Sequence, residues 1–164
     1  MISEQLIIYL DFDGVLHPCD VSIVGKTPVL LTPDLSLFCW SPILESRINE
    51  YDPTETKIKI VLSTSWVSLW GLEHAASYLP DCLRNRVIGK TKKVGRTRAF
   101  EVIMHAEDNK FENWFALDDL FAGEQGWPDE QAERIVLCDP DLGLSDAKVT
   151  QILRKRLKDH CKTN

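Results

Sequence analysis

The chain has 164 residues, 44% of them hydrophobic and 27% charged, with a formal net charge of −6. That length suits one domain around a single core. The acidic balance disfavours a non-specific nucleic-acid binder, which carries a basic surplus, and no apolar run approaches the roughly 18 residues of a membrane span. The segment Met1-Ile2-Ser3-Glu4-Gln5 lacks the basic-then-apolar pattern of a secretory signal. Cysteines 19, 39, 82, 138 and 161 show no C-x-x-C spacing, which predicts reduced thiols in a cytoplasmic protein and argues against zinc.

Residues 6–11 read as a buried strand. Residues 19–32 place Val21-Ser22-Ile23-Val24 and Val29-Leu30-Leu31 around Gly25-Lys26-Thr27-Pro28, the pattern of a short hairpin. Ser41-Pro42 opens a helix to about Tyr51, since proline is favoured at the first helical position. Lys57 to Leu62 turns fully apolar, giving a second core strand, and one helix is expected from Trp66 to Tyr78, ending before Pro80. Arg86 to Gly89 is a short strand, and Thr97 to Ala106 has the spacing of an amphipathic helix. Further strands run from Trp114 to Leu117 and from Ile135 to Cys138. Ser145 is expected to cap a last helix to about Asp159, with Asp146 in its first turn. Strands alternating with helices predict an α/β protein, with a central, mostly parallel five-stranded sheet and helices on both faces. This is a three-layer, Rossmann-like arrangement in which ligands bind outside the carboxyl ends of the strands.

Three strand ends are polar: Asp11 with Asp13, Ser63-Thr64-Ser65, and Asp118-Asp119. The first is the sharpest. The run Ile7-Ile8-Tyr9-Leu10 stops in Asp11-Phe12-Asp13-Gly14, so two carboxylates leave one strand end two positions apart. If strand geometry persists to Asp13, both lie on the same side and repel each other unless a cation sits between them. A hard cation such as Mg²⁺ takes oxygen ligands and suits the place. A basic cluster of Lys90, Lys92, Lys93, Arg96 and Arg98 falls where an anionic ligand could use it. Phosphoryl transfer needs a nucleophile, charge neutralisation and a proton donor, and these elements could supply all three.

In this the chain resembles the haloacid dehalogenase-like (HAD) superfamily of hydrolases. Four motifs occur in order: the apolar strand ending in Asp-x-Asp-Gly-Val at Ile7 to Val15; Ile60-Val61-Leu62-Ser63; a Lys or Arg near the start of a later helix; and Phe115-Ala116-Leu117-Asp118-Asp119. The resemblance implies a phosphatase. Asp11 would be the nucleophile that forms an aspartyl-phosphate, and Asp13 the acid that protonates the leaving group and then activates water. Ser63 would bind the transferring phosphoryl group. Asp118 would hold Mg²⁺ with the Asp11 carboxylate and the Asp13 main-chain carbonyl, and Asp119 is a water-bridged candidate. For the third motif Lys93 is the first choice, then Arg96, then Lys90. Thr64, Arg96 and His17 are substrate-binding candidates, with a turn histidine as the alternative for His17. Trp66 is either a pocket wall or, twice as readily, a core residue at a helix start.

Residues 14–57 and 64–90 are nearly used up by the hairpin and the elements named above, leaving no room for a separate cap domain. One open domain over 1–164 is expected, closed at most by the 19–32 hairpin as a flap. Specificity would lie in that hairpin, His17, Trp66 and the 119–130 loop. The resemblance implies a phosphorylated substrate, small molecule or macromolecule. A nucleic-acid end is an alternative that the charge and the lack of an aromatic-basic stripe disfavour. A non-catalytic phospho-ligand module is another.

Overall fold

A computed structural model describes residues 5–119 and 126–161. Residues 120–125 of the 119–130 loop, and Met1 to Glu4, lie outside the described residues. The five-stranded parallel sheet has the order β5-β4-β1-β6-β7, built from β1 (Leu6–Leu10), β4 (Ile58–Leu62), β5 (Val87–Lys90), β6 (Trp114–Asp119) and β7 (Ile135–Cys138). All five residues of β1 and all six of β6 are buried. Central parallel strands are covered on both faces, so their sequences read as continuous apolar runs.

Alternation along β1 sorts the core into two layers. Leu6, Ile8 and Leu10 pack with Leu44 and Ile48 of α1 (Ser41–Tyr51) and with Leu153 and Leu157 of α6 (Ala147–His160). Ile7 and Tyr9 face Val102 and Ala106 of α5 (Arg98–Asp108) on the opposite side. The chain moves outward from β1 to β4 and β5, then returns to β6 on the other flank of β1. That reversal is the switch point at which open α/β sheets leave a crevice.

The hairpin forms its own antiparallel sheet, β2 (Val21–Val24) with β3 (Thr27–Leu30). Its two-residue turn, Gly25-Lys26, is shorter than the four-residue turn read from the sequence, and Thr27 and Pro28 belong to β3. Two other expectations change. The single helix over 66–78 is two, α2 (Ser65–Trp70) and α3 (Leu72–Ser77). Gly71 divides them with φ 83°, a left-handed value that glycine tolerates at little steric cost. The cap of α6 is Asp146, whose carboxylate accepts from the Lys148 amide at 2.9 Å. Ser145 instead closes a 3₁₀ turn over Gly143–Ser145. The short helix α4 (Asp81–Arg84) and a 3₁₀ segment at Asp129–Arg134 carried no strong sequence signal.

Candidate active site

Strand register assembles the site. Leu10 pairs with Leu62 on one side and with Leu117 on the other. The next residues, Asp11, Ser63 and Asp118, therefore emerge level at the carboxyl edge of three adjacent strands. The Asp11 amide donates to Leu117 O at 3.0 Å and the Ser63 amide to Leu10 O at 2.9 Å, so the ladder continues one step past the ends of β1 and β4. The carboxylates are then fixed locally. Phe12 N–H donates to Asp11 Oδ1 at 2.8 Å, and Asp119 N–H to Asp118 Oδ1 at 2.9 Å.

Asp11, Asp118 and Asp119 each offer an oxygen within 4.8 Å of the others. All three are buried. Burial pushes the Asp11 carboxyl above its usual range, with the Asp13 charge adding to the shift against the pull of Arg98. Asp118 is pushed well above its usual range, first by burial and then by the charge of Asp11. Gly14 makes the crowding possible. Its φ is 74°, and a Cβ there would stand 2.5 Å from Asp119 Oδ2.

Asp13 is held differently. The strand ends at Leu10, and Asp13 instead forms an isolated bridge with His17. Its Oδ1 is 2.9 Å from His17 Nε2, and its Oδ2 accepts from Trp66 Nε1–H at 2.9 Å. The Phe38 amide donates to His17 Nδ1 at 3.1 Å, so that nitrogen bears no proton and Nε2–H is the donor to Asp13. Trp66 is itself enclosed by Phe12, Phe38, Trp70 and Tyr78, with ring centroids 5.1–5.5 Å away. The sequence reading gave Trp66 as wall or core. It is a buried core residue that also donates to Asp13. His17 makes the local bond of a turn histidine, and that bond is to Asp13.

The basic cluster divides. Arg98, the first residue of α5, has Nη1 3.8 Å from Asp11 Oδ1, 3.7 Å from Asp118 Oδ2 and 3.3 Å from Ser63 Oγ. Burial opposes its charge, and the carboxylates of Asp11 and Asp118 outweigh that and hold the guanidinium firmly protonated. Lys93 and Arg96 are exposed and line a neighbouring cavity of about 270 Å³, together with Thr64 and Arg98. Thr64 also caps α2, its Oγ1 accepting from the Trp66 amide at 3.3 Å. Lys90 is exposed at the end of β5, outside that lining. Arg98 entered the sequence reading only as a member of the cluster. The Thr97 N-cap, whose Oγ1 accepts from the Phe100 amide, puts Arg98 in the first turn, and this was the available signal.

The sequence matches, over residues 7–149, the model of a family described as the HAD domain in Swiss Army Knife RNA repair proteins. The chain belongs to that family. No curated protein and no solved structure matches it. The match runs from β1 to the first turn of α6 and so includes every strand of the sheet and all the residues above. Membership of the HAD domain family supports a phosphatase or a nucleic-acid end-processing role.

A divalent cation fits this HAD domain's carboxylate cluster. Hard oxygen donors converge there, and buried carboxyls with oxygens within 4.8 Å of one another need a proton or a cation to offset their charge. The Asp13 carboxylate is committed to His17 and Trp66, so the cluster's third side chain is Asp119. No helix among the described residues is long and apolar enough to cross a membrane.

Proposed function

We propose that this HAD domain is a Mg²⁺-dependent phosphomonoesterase that works through an aspartyl-phosphate on Asp11. The observation that carries the reading is the register that sets Asp11 level with Ser63 and Asp118, with Arg98 reaching all three. The Asp11 carboxylate attacks phosphorus, forming a new P–O bond as the bond to the leaving oxygen breaks. Asp13, as the acid, gives its proton to that oxygen; as the base, it later takes a proton from the water that attacks the aspartyl-phosphate. The Asp11–phosphorus bond then breaks and inorganic phosphate departs. Arg98 donates to the phosphoryl oxygens. Ser63 Oγ accepts from Arg98 and so has its own proton free to donate to the same group. Asp11 and Asp118, with the Asp13 main-chain carbonyl and with Asp119 beside them, would hold Mg²⁺, which when bound would offset the charge of the phosphoryl group against the carboxylates.

His17 acts on Asp13 in this scheme, and Thr64 and Arg96 belong to the neighbouring cavity. The domain acts as one open, cytoplasmic, capless unit with the hairpin as a flap. The family description makes phosphorylated nucleic-acid ends the favoured substrate class. The test is turnover of p-nitrophenyl phosphate and of 5′- and 3′-phosphorylated oligoribonucleotides by wild-type protein and Asp11→Asn. The amide keeps the shape and cannot attack, so activity should fall by orders of magnitude with the fold intact. Residual activity within about tenfold of wild type overturns the nucleophile assignment. A wild-type protein that binds these substrates in Mg²⁺ and hydrolyses none is a binding module instead.

A further inference from the structure

We propose that the cavity beside Arg98 is a second anion subsite. It takes another phosphate of the same substrate, one nucleoside away from the scissile one. The inference rests on the phosphatase reading for the position of the first phosphate. The cavity lies between α2 and the segment leading into α5, and Arg98 is common to it and to the Asp11 site. A ligand can therefore run continuously from one to the other.

Lys93, Arg96 and Arg98 face the cavity against one carboxylate, Glu101. Glu101 Oε1 is occupied by the Val94 amide at 3.0 Å, which fastens the segment that carries Lys93 and Arg96. In a chain of net charge −6, this is a local reversal of sign. Arg98 is engaged with Asp11, Asp118 and Ser63. Lys93 and Arg96 make no ion pair among the described residues. The Arg96 guanidinium carbon lies 5.8 Å from the Phe100 ring centroid, a cation–π contact that takes up none of its N–H donors.

Exposed cations are ordinarily solvated and neutral in consequence. Two unpaired ones on the wall of a concave site are different, because the low-dielectric walls focus their field on whatever anion enters. Ser65 and Ser68 add hydroxyls to the lining. The volume of about 270 Å³ sits just below the range of small-molecule sites, about 300–1,000 Å³. It suits a phosphate and its sugar rather than a longer stretch of strand. The ligand class is thus a nucleoside bisphosphate or the terminal nucleotide of a strand, whose phosphodiester supplies the second anion.

Calorimetry on Asp11→Asn protein in Mg²⁺ tests this without turnover. Adenosine 3′,5′-bisphosphate is expected to bind at least about tenfold more tightly than either adenosine monophosphate, the scale of one charge-assisted contact. Adding Lys93→Ala and Arg96→Ala should collapse that preference toward unity with no change in melting temperature, since both side chains are exposed. A 5′-phosphorylated tetraribonucleotide identifies the source. Binding as tight as the bisphosphate points to a strand, and weaker binding to a free bisphosphate; both support the subsite. Equal binding of mono- and bisphosphate, or a preference untouched by the two substitutions, overturns it. Failure of the phosphatase reading appears separately, as absent turnover in wild-type protein beside an intact binding preference.

Discussion

Arg98 and Lys93 are five residues apart in sequence and both line the cavity, yet only Arg98 reaches the carboxylates. Arg98 meets two carboxylates and Ser63 Oγ, whereas Lys93 lines the adjoining cavity. Arg98→Ala should therefore lower turnover by about 10²–10³-fold, the scale of one lost charge-stabilising donor. Steady-state kinetics of both alanine variants check this; a Lys93→Ala variant more damaged than Arg98→Ala returns the phosphoryl-binding role to Lys93. Sequence could place a cation near a helix start. It could not choose among Lys90, Lys93, Arg96 and Arg98, because the choice depends on how the segment turns before α5. Trp66 illegibly combines two roles for the same reason: its apolar body packs in an aromatic cluster while its one N–H reaches Asp13, which is 53 positions away. Trp66→Phe keeps a ring in the cluster and removes that donor. It should lower kcat by about tenfold, part of the 10²–10⁴ that acid–base catalysis supplies, with KM and melting temperature little changed. An unaltered kcat removes Trp66 from the positioning of Asp13.

At the scale of elements, the strands were the readily legible part. Ile7 to Leu10, Ile60 to Leu62 and Phe115 to Leu117 are apolar because both faces of a central parallel strand are buried, so their location and the polar residues that end them can be read directly. The helices were less legible where one residue decides. Gly71 lies in an apolar stretch compatible with one long helix, and only its left-handed φ reveals the break. The network at the opposite end of the sheet gave no local signal at all. The Asp52 carboxylate accepts from the amides of Thr56, Lys57 and Ile58 and pairs at 2.6 Å with Arg86, both side chains fully buried. Arg86 also donates to Asp52 O at 2.7 Å and to Asn49 Oδ1 at 3.2 Å. These bonds clamp the end of α1 to the start of β4 and β5. Asp52→Ala strands the Arg86 charge in the core and should destabilise the fold by about 3–5 kcal/mol. Urea denaturation measures the loss, and a change below about 1 kcal/mol would mean that water reaches Arg86 once the carboxylate is gone.

Across the whole molecule, the two ends of the sheet respond to pH with opposite sign. Burial opposes ionisation of Asp52, and its three amide donors and Arg86 outweigh that, holding its carboxyl below the usual range. Its contribution to stability is therefore present above the unfolded value of about 3.9 and is lost as pH falls through the lower folded value. At the other end, burial holds the Asp11 and Asp118 carboxyls above their usual range, with the Asp13 charge adding to the shift of Asp11 and the Asp11 charge to that of Asp118. Their folded forms bind protons more tightly than the unfolded chain does, so their contribution is present below about pH 4 and is lost as pH rises through the folded values. The two windows do not overlap. In chelator, the cluster's contribution to the melting temperature should therefore decline as pH is raised above about 4, against a gain from His105 and His160, whose imidazoles burial holds below their usual range. Mg²⁺ competes with protons for the same oxygens, so its stabilisation must grow over the same interval as the protons leave. Thermal melts in chelator and in millimolar Mg²⁺ from about pH 5 to about pH 8 measure both slopes. A Mg²⁺ shift that is absent, or equal at both ends of the range, contradicts a metal site built on Asp11 and Asp118. The Asp11→Asn protein supplies the internal control: with one of the two coupled acids neutral, the alkaline decline should flatten even in chelator, because Asp118 then ionises beside an amide instead of a charge.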